Sequence, residues 1–255
     1  MKRIFITGST QGLGLAAART LLGQGHEVVL HARSAESAAV LAPLTARAAG
    51  IVVGDLRSAE ETRSVAQQVN AIGRMDAVIH NAGTFGEARR RSTLEGHAPT
   101  LAVNTLAPYM LTALIERPSR LVYLSSSMHR GADSLLRDMD WIERRWDRER
   151  AYSESKLYVT ALALAVARRW PDVLSNAVDP GWVPTRMGGP SATDDLVMGH
   201  STQTWLAVSS DAAAKVSGGY WYHMTPRMPA SETLDPAFQD RLINRLNELT
   251  GVSLF

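Results

Sequence analysis

Tyr152 and Lys156, in the stretch AYSESKLYVT (151–160), stand four positions apart in a segment that reads as helix. On a helix that spacing puts both side chains on one face, the ammonium near the phenol. A free tyrosine titrates near ~10. A neighbouring cation favours the phenolate and pulls that value down towards working pH. A tyrosine so tuned can protonate a developing alkoxide, or take its proton in the reverse direction. The spacing also arises by chance, so the pair gains weight only from what surrounds it.

The second chemical signal is TGSTQGLG (7–14), between the first strand-like run and the first helix-like run. Gly8 allows a tight turn, Gly12 lets a ligand approach the backbone, and Gly14 lets the helix pack closely on the sheet. Free N–H groups at that helix start, with the positive end of its dipole, suit a pyrophosphate. A glycine pattern alone is equally an ordinary βα turn. Its place at the opening of a βαβ unit favours nucleotide binding.

These residues need a scaffold, and the chain supplies an alternation of short β-branched runs and longer amphipathic ones. Strands are expected at 3–7, 26–32, 50–55, 75–83, 119–127, 172–178 and 218–223. Helices are expected at 12–25, 35–49, 58–73, 93–116, 150–170, 194–209 and 236–249, with Ser58 as an N-cap and Glu61 at N3. Alternating β and α units imply a parallel sheet covered on both faces by right-handed crossovers. No linker, low-complexity tract or repeat divides the chain, so one domain over 1–255 is expected.

Composition narrows the function. The 255 residues carry 27 basic and 25 acidic groups, a net charge of +2, which argues against a nucleic-acid partner. With no cysteine, thiol chemistry and Cys-ligated zinc are excluded. The seven histidines show no metal-ligand spacing, so no metal is expected. The apolar run in MKRIFITGST is too short for a signal peptide, and no stretch reaches the roughly 18 apolar residues of a membrane span. A cytoplasmic protein is the expectation.

The TGxxxGxG spacing resembles that of the short-chain dehydrogenase/reductases, and further motifs follow in that family's order. They are Asp55-Leu56, Asn81-Ala82-Gly83, Asn104, Ser125-Ser126, Tyr152-x-x-x-Lys156, and Pro180-Gly181-Trp182-Val183-Pro184-Thr185. The resemblance covers about residues 3–210. A longer stretch between Ser126 and Tyr152 is similar to the retinol-dehydrogenase and carbonyl-reductase branches. It implies a Rossmann-type, doubly wound α/β domain with a mostly parallel seven-stranded sheet, order 3-2-1-4-5-6-7.

The resemblance also implies roles. Tyr152 is the general acid/base, helped by Lys156 and by the charge of an oxidised nicotinamide. Ser126 aligns with the serine that donates a hydrogen bond to the substrate oxygen, although Ser125 lies one residue away. Asn104 aligns with the asparagine that holds a water behind the lysine. Gly8, Thr10, Gly12, Leu13 and Gly14 would cradle the dinucleotide, Asp55 would meet the adenine amine and Leu56 would pack on adenine. Asn81, Ala82 and Gly83 would line the ribose. Pro180, Gly181, Val183 and Thr185 would hold the nicotinamide amide, with a substrate lid at about 182–206.

At the end of the second strand Ala32 replaces the acid of an NAD site, and Arg33 follows with a guanidinium suited to a 2′-phosphate. NADP(H) is therefore favoured, with NAD(H) as the alternative. Met187, Met198, Trp205, Trp221 and Met224 suggest an apolar pocket, hence an apolar aldehyde or ketone, or its alcohol, as substrate. A non-catalytic dinucleotide-binding regulator and a reductase of an activated C=C bond or quinone are the competing readings. The mixed-charge run IERRWDRERAY (142–152) reads as a solvated insertion. The alternatives are that Trp141 or Trp146 meets substrate, or that the insertion covers a face used for a homo-oligomer elsewhere in the family. EARRRS (87–92) reads as an exposed loop.

Overall fold

Eight short strands, most of them apolar and buried, form one sheet in the computed structural model, which describes residues 1–255. The first half runs β1 (Arg3–Ile6), α1 (Gly12–Gly23), β2 (Glu27–Ala32), the short helices α2 (Ala35–Ala38) and α3 (Ala42–Thr45), β3 (Gly50–Val53), α4 (Ala59–Ile72) and β4 (Ala77–His80). A continuous helical rod follows, α5 (Pro99–Leu101), a π-helical turn (Ala102–Leu106) and α6 (Ala107–Leu114). Then come β5 (Arg120–Leu124), the long α7 (Arg148–Arg169), β6 (Leu174–Asp179) and α8 (Leu196–Val208). The chain ends with β7 (Tyr220–Tyr222), β8 (Thr225–Arg227), α9 (Ser231–Leu234) and α10 (Pro236–Thr250).

The sheet order is β3-β2-β1-β4-β5-β6-β7-β8, a Rossmann-like arrangement parallel throughout except for the last pair. The expected seven strands therefore need a correction to eight. β7 and β8 form an antiparallel hairpin whose two-residue turn, His223-Met224, holds both residues at positive φ, 46° and 61°. That turn matches strand twist but normally uses Asn-Gly, so the sequence carries no sign of it. Pro226 is tolerated because β8 lies at the sheet edge.

Strand residues alternate between two apolar cores. Phe5, Val29 and Val78 pack on the face covered by α4, α6, α7 and α10. Ile4, Ile6, Leu30 and Ile79 pack on the opposite face, with α1 and α8. Two expected helices change shape for a stated reason. The one at 35–49 breaks into α2 and α3, because Pro43 cannot donate to the carbonyl four residues back. The one at 93–116 starts only at Pro99, after a loop that closes with Thr93 N–H on the His97 carbonyl. α7 is buried along every residue from Ala151 to Val166, enclosed by the sheet, α9, α10 and the segment after β5. No helix is long and apolar enough to cross a membrane.

Candidate active site

The C-terminal ends of β1, β4, β5 and β6 bring the sequence-predicted residues together. Two neighbouring serines at the end of β5 are resolved by their partners. Ser125 is buried and spends its hydroxyl on Thr160, at 2.6 Å. Ser126 is half-buried, accepts from the Met128 N–H at 3.3 Å and is the serine whose hydroxyl favours the ionised Tyr152 phenol. Lys156 is buried beneath, its ammonium donating to the Leu124 carbonyl at 2.7 Å and lying 5.5 Å from the centre of the Tyr152 ring.

The electrostatics of the pair differ from the expectation. Burial pushes the Tyr152 phenol up to about 12, with the Ser126 hydroxyl opposing and the Asp179 charge adding to the rise. Burial also lowers Lys156 to about 8, against the pull of Asp179. The expected depressed tyrosine is thus absent from the chain alone, because desolvation outweighs an ammonium directed at a backbone carbonyl. The phenol is held protonated, which is the state a proton donor needs.

Asn104 lies in the π-helical turn. Pro108 has no N–H for the Asn104 carbonyl, and here the ladder widens so that Ala107 N–H reaches back five residues to Ala102. The Asn104 amide bonds both backbone groups of Thr84, at 2.8 and 2.9 Å, and the Ser155 hydroxyl at 2.9 Å. It therefore ties the loop after β4 to the helix carrying Tyr152 and Lys156.

The glycine turn is shaped for a ligand. A β-carbon on Gly14 would collide with the Gly8 carbonyl and the Asn81 amide. Among the helices of twelve residues or more, α4, α7, α8 and α10 are N-capped by Ser58, Asp147, Asp195 and Asp235, whereas α1 has no side-chain cap and no acid in its first turn. That end suits an anion, as a dinucleotide's pyrophosphate requires. Thr10, Gly12 and Leu13 are half-buried there, with the Thr185 methyl 3.3 Å from a β-carbon position on Gly12 and Leu13 against Gly199. Asn81 bonds the Thr7 and Gly8 carbonyls at 3.0 and 3.3 Å, Ala82 N–H bonds the Thr7 hydroxyl, and Gly83 faces Asn104, Lys156 and Met187.

Arg33 is exposed at the end of β2, and its charge helps hold the Asp55 carboxyl low. The larger influence on Asp55 is Arg57, which grips the carboxylate through Nε, Nη2 and the backbone N–H. Leu56 turns its side chain into the core. Pro180 accepts from His223 at 3.2 Å, Gly181 donates to Asp179 at 3.0 Å, and Val183 is buried against Gly199. The lid stretch is coil through 195, after which α8 begins. Trp205 and Trp221 stack edge-to-face at 5.4 Å and belong to the core, while Met187, Met198 and Met224 are exposed.

Two buried histidines make backbone contacts that the sequence does not announce. His31 accepts from the Gly8 N–H on Nδ1 at 2.9 Å, so its Nε2–H donates to the Gly54 carbonyl at 2.9 Å. His129 accepts from the Ala230 N–H on Nε2, so its Nδ1–H donates to the Ser126 carbonyl at 2.7 Å. Each braces a loop of the site, and a lone histidine carries no pattern that announces it. The insertion is not simply solvated either. Arg144 bridges Asp138 and Glu154, the latter buried on α7, and the Trp141 indole also donates to Glu154 at 3.0 Å.

A family model described as Enoyl-(Acyl carrier protein) reductase matches residues 8–218. The short-chain dehydrogenase chry4 of Gibberella zeae is 39% identical, over 100% of this chain and 99% of that one. This chain belongs to the short-chain dehydrogenase/reductase family. Another relative, retinol dehydrogenase 14 of Mus musculus, is 31% identical over 73% of this chain and 63% of its own length. A solved Mycobacterium paratuberculosis protein shares the fold with a TM-score of 0.84 at 23% identity, covering 100% of this chain and 95% of that one. As a short-chain dehydrogenase/reductase, the chain is an oxidoreductase on a fold that binds a nicotinamide dinucleotide.

Proposed function

We propose that the chain is an NADP(H)-dependent oxidoreductase moving hydride between nicotinamide and the carbonyl carbon of an apolar aldehyde or ketone. The alcohol is the substrate in reverse. The observation that carries the reading is the Ser126–Tyr152 hydroxyl pair above a buried Lys156. The bound dinucleotide supplies or takes the hydride. Tyr152 gives the alkoxide its proton, and Ser126 donates a hydrogen bond to the same oxygen. Lys156 keeps positive charge beneath the phenol, and Asn104 fixes the loop that faces it. Exposed Met187, Met198 and Met224 favour an apolar substrate, and retinol dehydrogenase 14 is named for an apolar alcohol. The testing experiment follows NADPH oxidation across apolar aldehydes, ketones, quinones and enones. Turnover confined to enones or quinones would move the assignment to double-bond or quinone reduction, and binding of NADPH without turnover would favour a regulator.

Arg33 is the proposed contact to the 2′-phosphate. Arg33→Asp is expected to weaken NADPH binding by about tenfold to a hundredfold and to spare NADH, since a charge-assisted hydrogen bond is replaced by repulsion. Unchanged affinities for both dinucleotides, measured by fluorescence titration, would remove Arg33 from cofactor selection.

A further inference from the structure

We propose that Phe85 is a positioning residue for the proton donor, and that the insertion between β5 and α7 acts on the reaction by clamping it. The inference rests on reading Tyr152 as that donor. The Phe85 and Tyr152 rings pack with centroids 4.7 Å apart and planes tilted by 42°. The Arg148 guanidinium, at the first residue of α7, lies 5.0 Å from the Phe85 ring centre.

The backbone on both sides of Phe85 is pinned. Thr84 has its N–H and carbonyl both bonded by Asn104. The Trp146 indole N–H donates to the Glu87 carbonyl at 3.0 Å. Gly86 between them takes φ 85°, and a β-carbon there would come within 2.6 Å of the Thr100 hydroxyl and 3.7 Å of Trp146. The backbone that carries Phe85 is therefore held on both sides of the ring that meets Tyr152.

A tyrosine beside an open cleft can swing, and its hydroxyl must stay within reach of Ser126 to act. Phe85 closes one side of that movement and keeps water from the ring. Four groups face Tyr152 from the elements around it: Ser126 beyond β5, Lys156 on its own helix, Asp179 at the end of β6, and Arg148 across Phe85. Removing Phe85 admits water, which screens the charges and relieves the desolvation that keeps the phenol protonated. The two segments that stood without a role, 87–92 and 142–152, meet at this point through Glu87, Trp146 and Arg148.

The test compares kcat for NADPH-dependent reduction of 4-nitrobenzaldehyde, and the ultraviolet titration of tyrosinate, in wild type, Phe85→Ala, Phe85→Leu and Trp146→Phe. Phe85→Ala is expected to lower kcat by about tenfold, leave NADPH binding unchanged, and move the Tyr152 tyrosinate titration down by about one pH unit. Phe85→Leu should recover most of the loss, and Trp146→Phe should shift the titration the same way by less. In the titration each variant is read against its own Tyr152→Phe partner. If wild type leaves that aldehyde untouched, the comparison is made by the titration alone, and the same direction is expected. A tyrosinate titration that stays in place in Phe85→Ala overturns the proposal, and a rise in KM alone would make Phe85 only a wall. Full activity in Tyr152→Phe would instead remove the proton-donor reading on which it stands.

Discussion

Tyr152→Phe is expected to lose about 10²–10⁴-fold in turnover on any aldehyde or ketone that wild type reduces, while NADPH binding is nearly unchanged. The substitution deletes one oxygen and keeps the ring, so Phe85 retains its partner at 4.7 Å. Ser126 is half-buried, still accepts from Met128 N–H and can turn to water. The folding cost is therefore about 1 kcal/mol. What disappears is the proposed proton donor, and Lys156 lies beneath the ring, its ammonium 5.5 Å from the ring centre and donating to Leu124. Burial that holds the phenol up to about 12 keeps it protonated throughout the neutral range, so reduction should not fall off below pH 7 for want of acid. On the alkaline side, Lys156 at about 8 loses its charge first, and the rate should decline as pH rises through that value. Retained turnover in the variant, followed by NADPH absorbance, would take Tyr152 out of the chemistry.

The elements legible in the sequence are those whose physics is local. Apolar runs such as RIFIT and the glycine turn announce a βαβ start, and the capping serine of α4 sits where Ser58 was expected, accepting from Glu61 N–H. The second half of that box fails, because the Glu61 carboxylate goes to Asp55 N–H instead. Contacts between distant residues left no such trace. The Arg144–Glu154 pair and the Trp141 bond turn a run that looks solvated by composition into a buried anchor on α7. The β7–β8 hairpin was hidden because His223 and Met224 adopt a backbone that glycine and asparagine usually supply. In the candidate site, spacing pointed to Tyr152 and Lys156 and the family resemblance to the serines, while their partners set Ser126 apart from Ser125.

Lowering the pH from 7 to 5 should cost the folded protein about 2 kcal/mol through His80 alone. His80 is fully enclosed at the end of β4, stacked on Tyr123 at 4.6 Å, with Nε2 on the Thr112 hydroxyl and no partner for Nδ1. Burial lowers it from 6.5 to about 3, so between those values the unfolded chain binds the extra proton. Stability is complete above about 6.5 and falls with pH by about 1.36 kcal/mol per unit until the folded value is reached. His31 and His129 are lowered by burial too and add in the same direction. His97 works oppositely, because Asp140 raises it, and gains stability as it protonates. The carboxyls of Asp55, Asp138 and Glu95 are held below ordinary values, so their losses fall at still lower pH, while Glu154, raised by burial, gains stability as it protonates. His80→Phe keeps the stacking and removes the titration, and Thr112 retains Pro108 and Tyr123 as partners. Urea midpoints at pH 7, 6 and 5 should then fall less steeply in the variant than in wild type, the two separating by about 2 kcal/mol at pH 5. An equal slope in both proteins would mean that His80 accepts its proton without unfolding, and the acid sensitivity would have to come from the two histidines that brace Gly8 and Ser126.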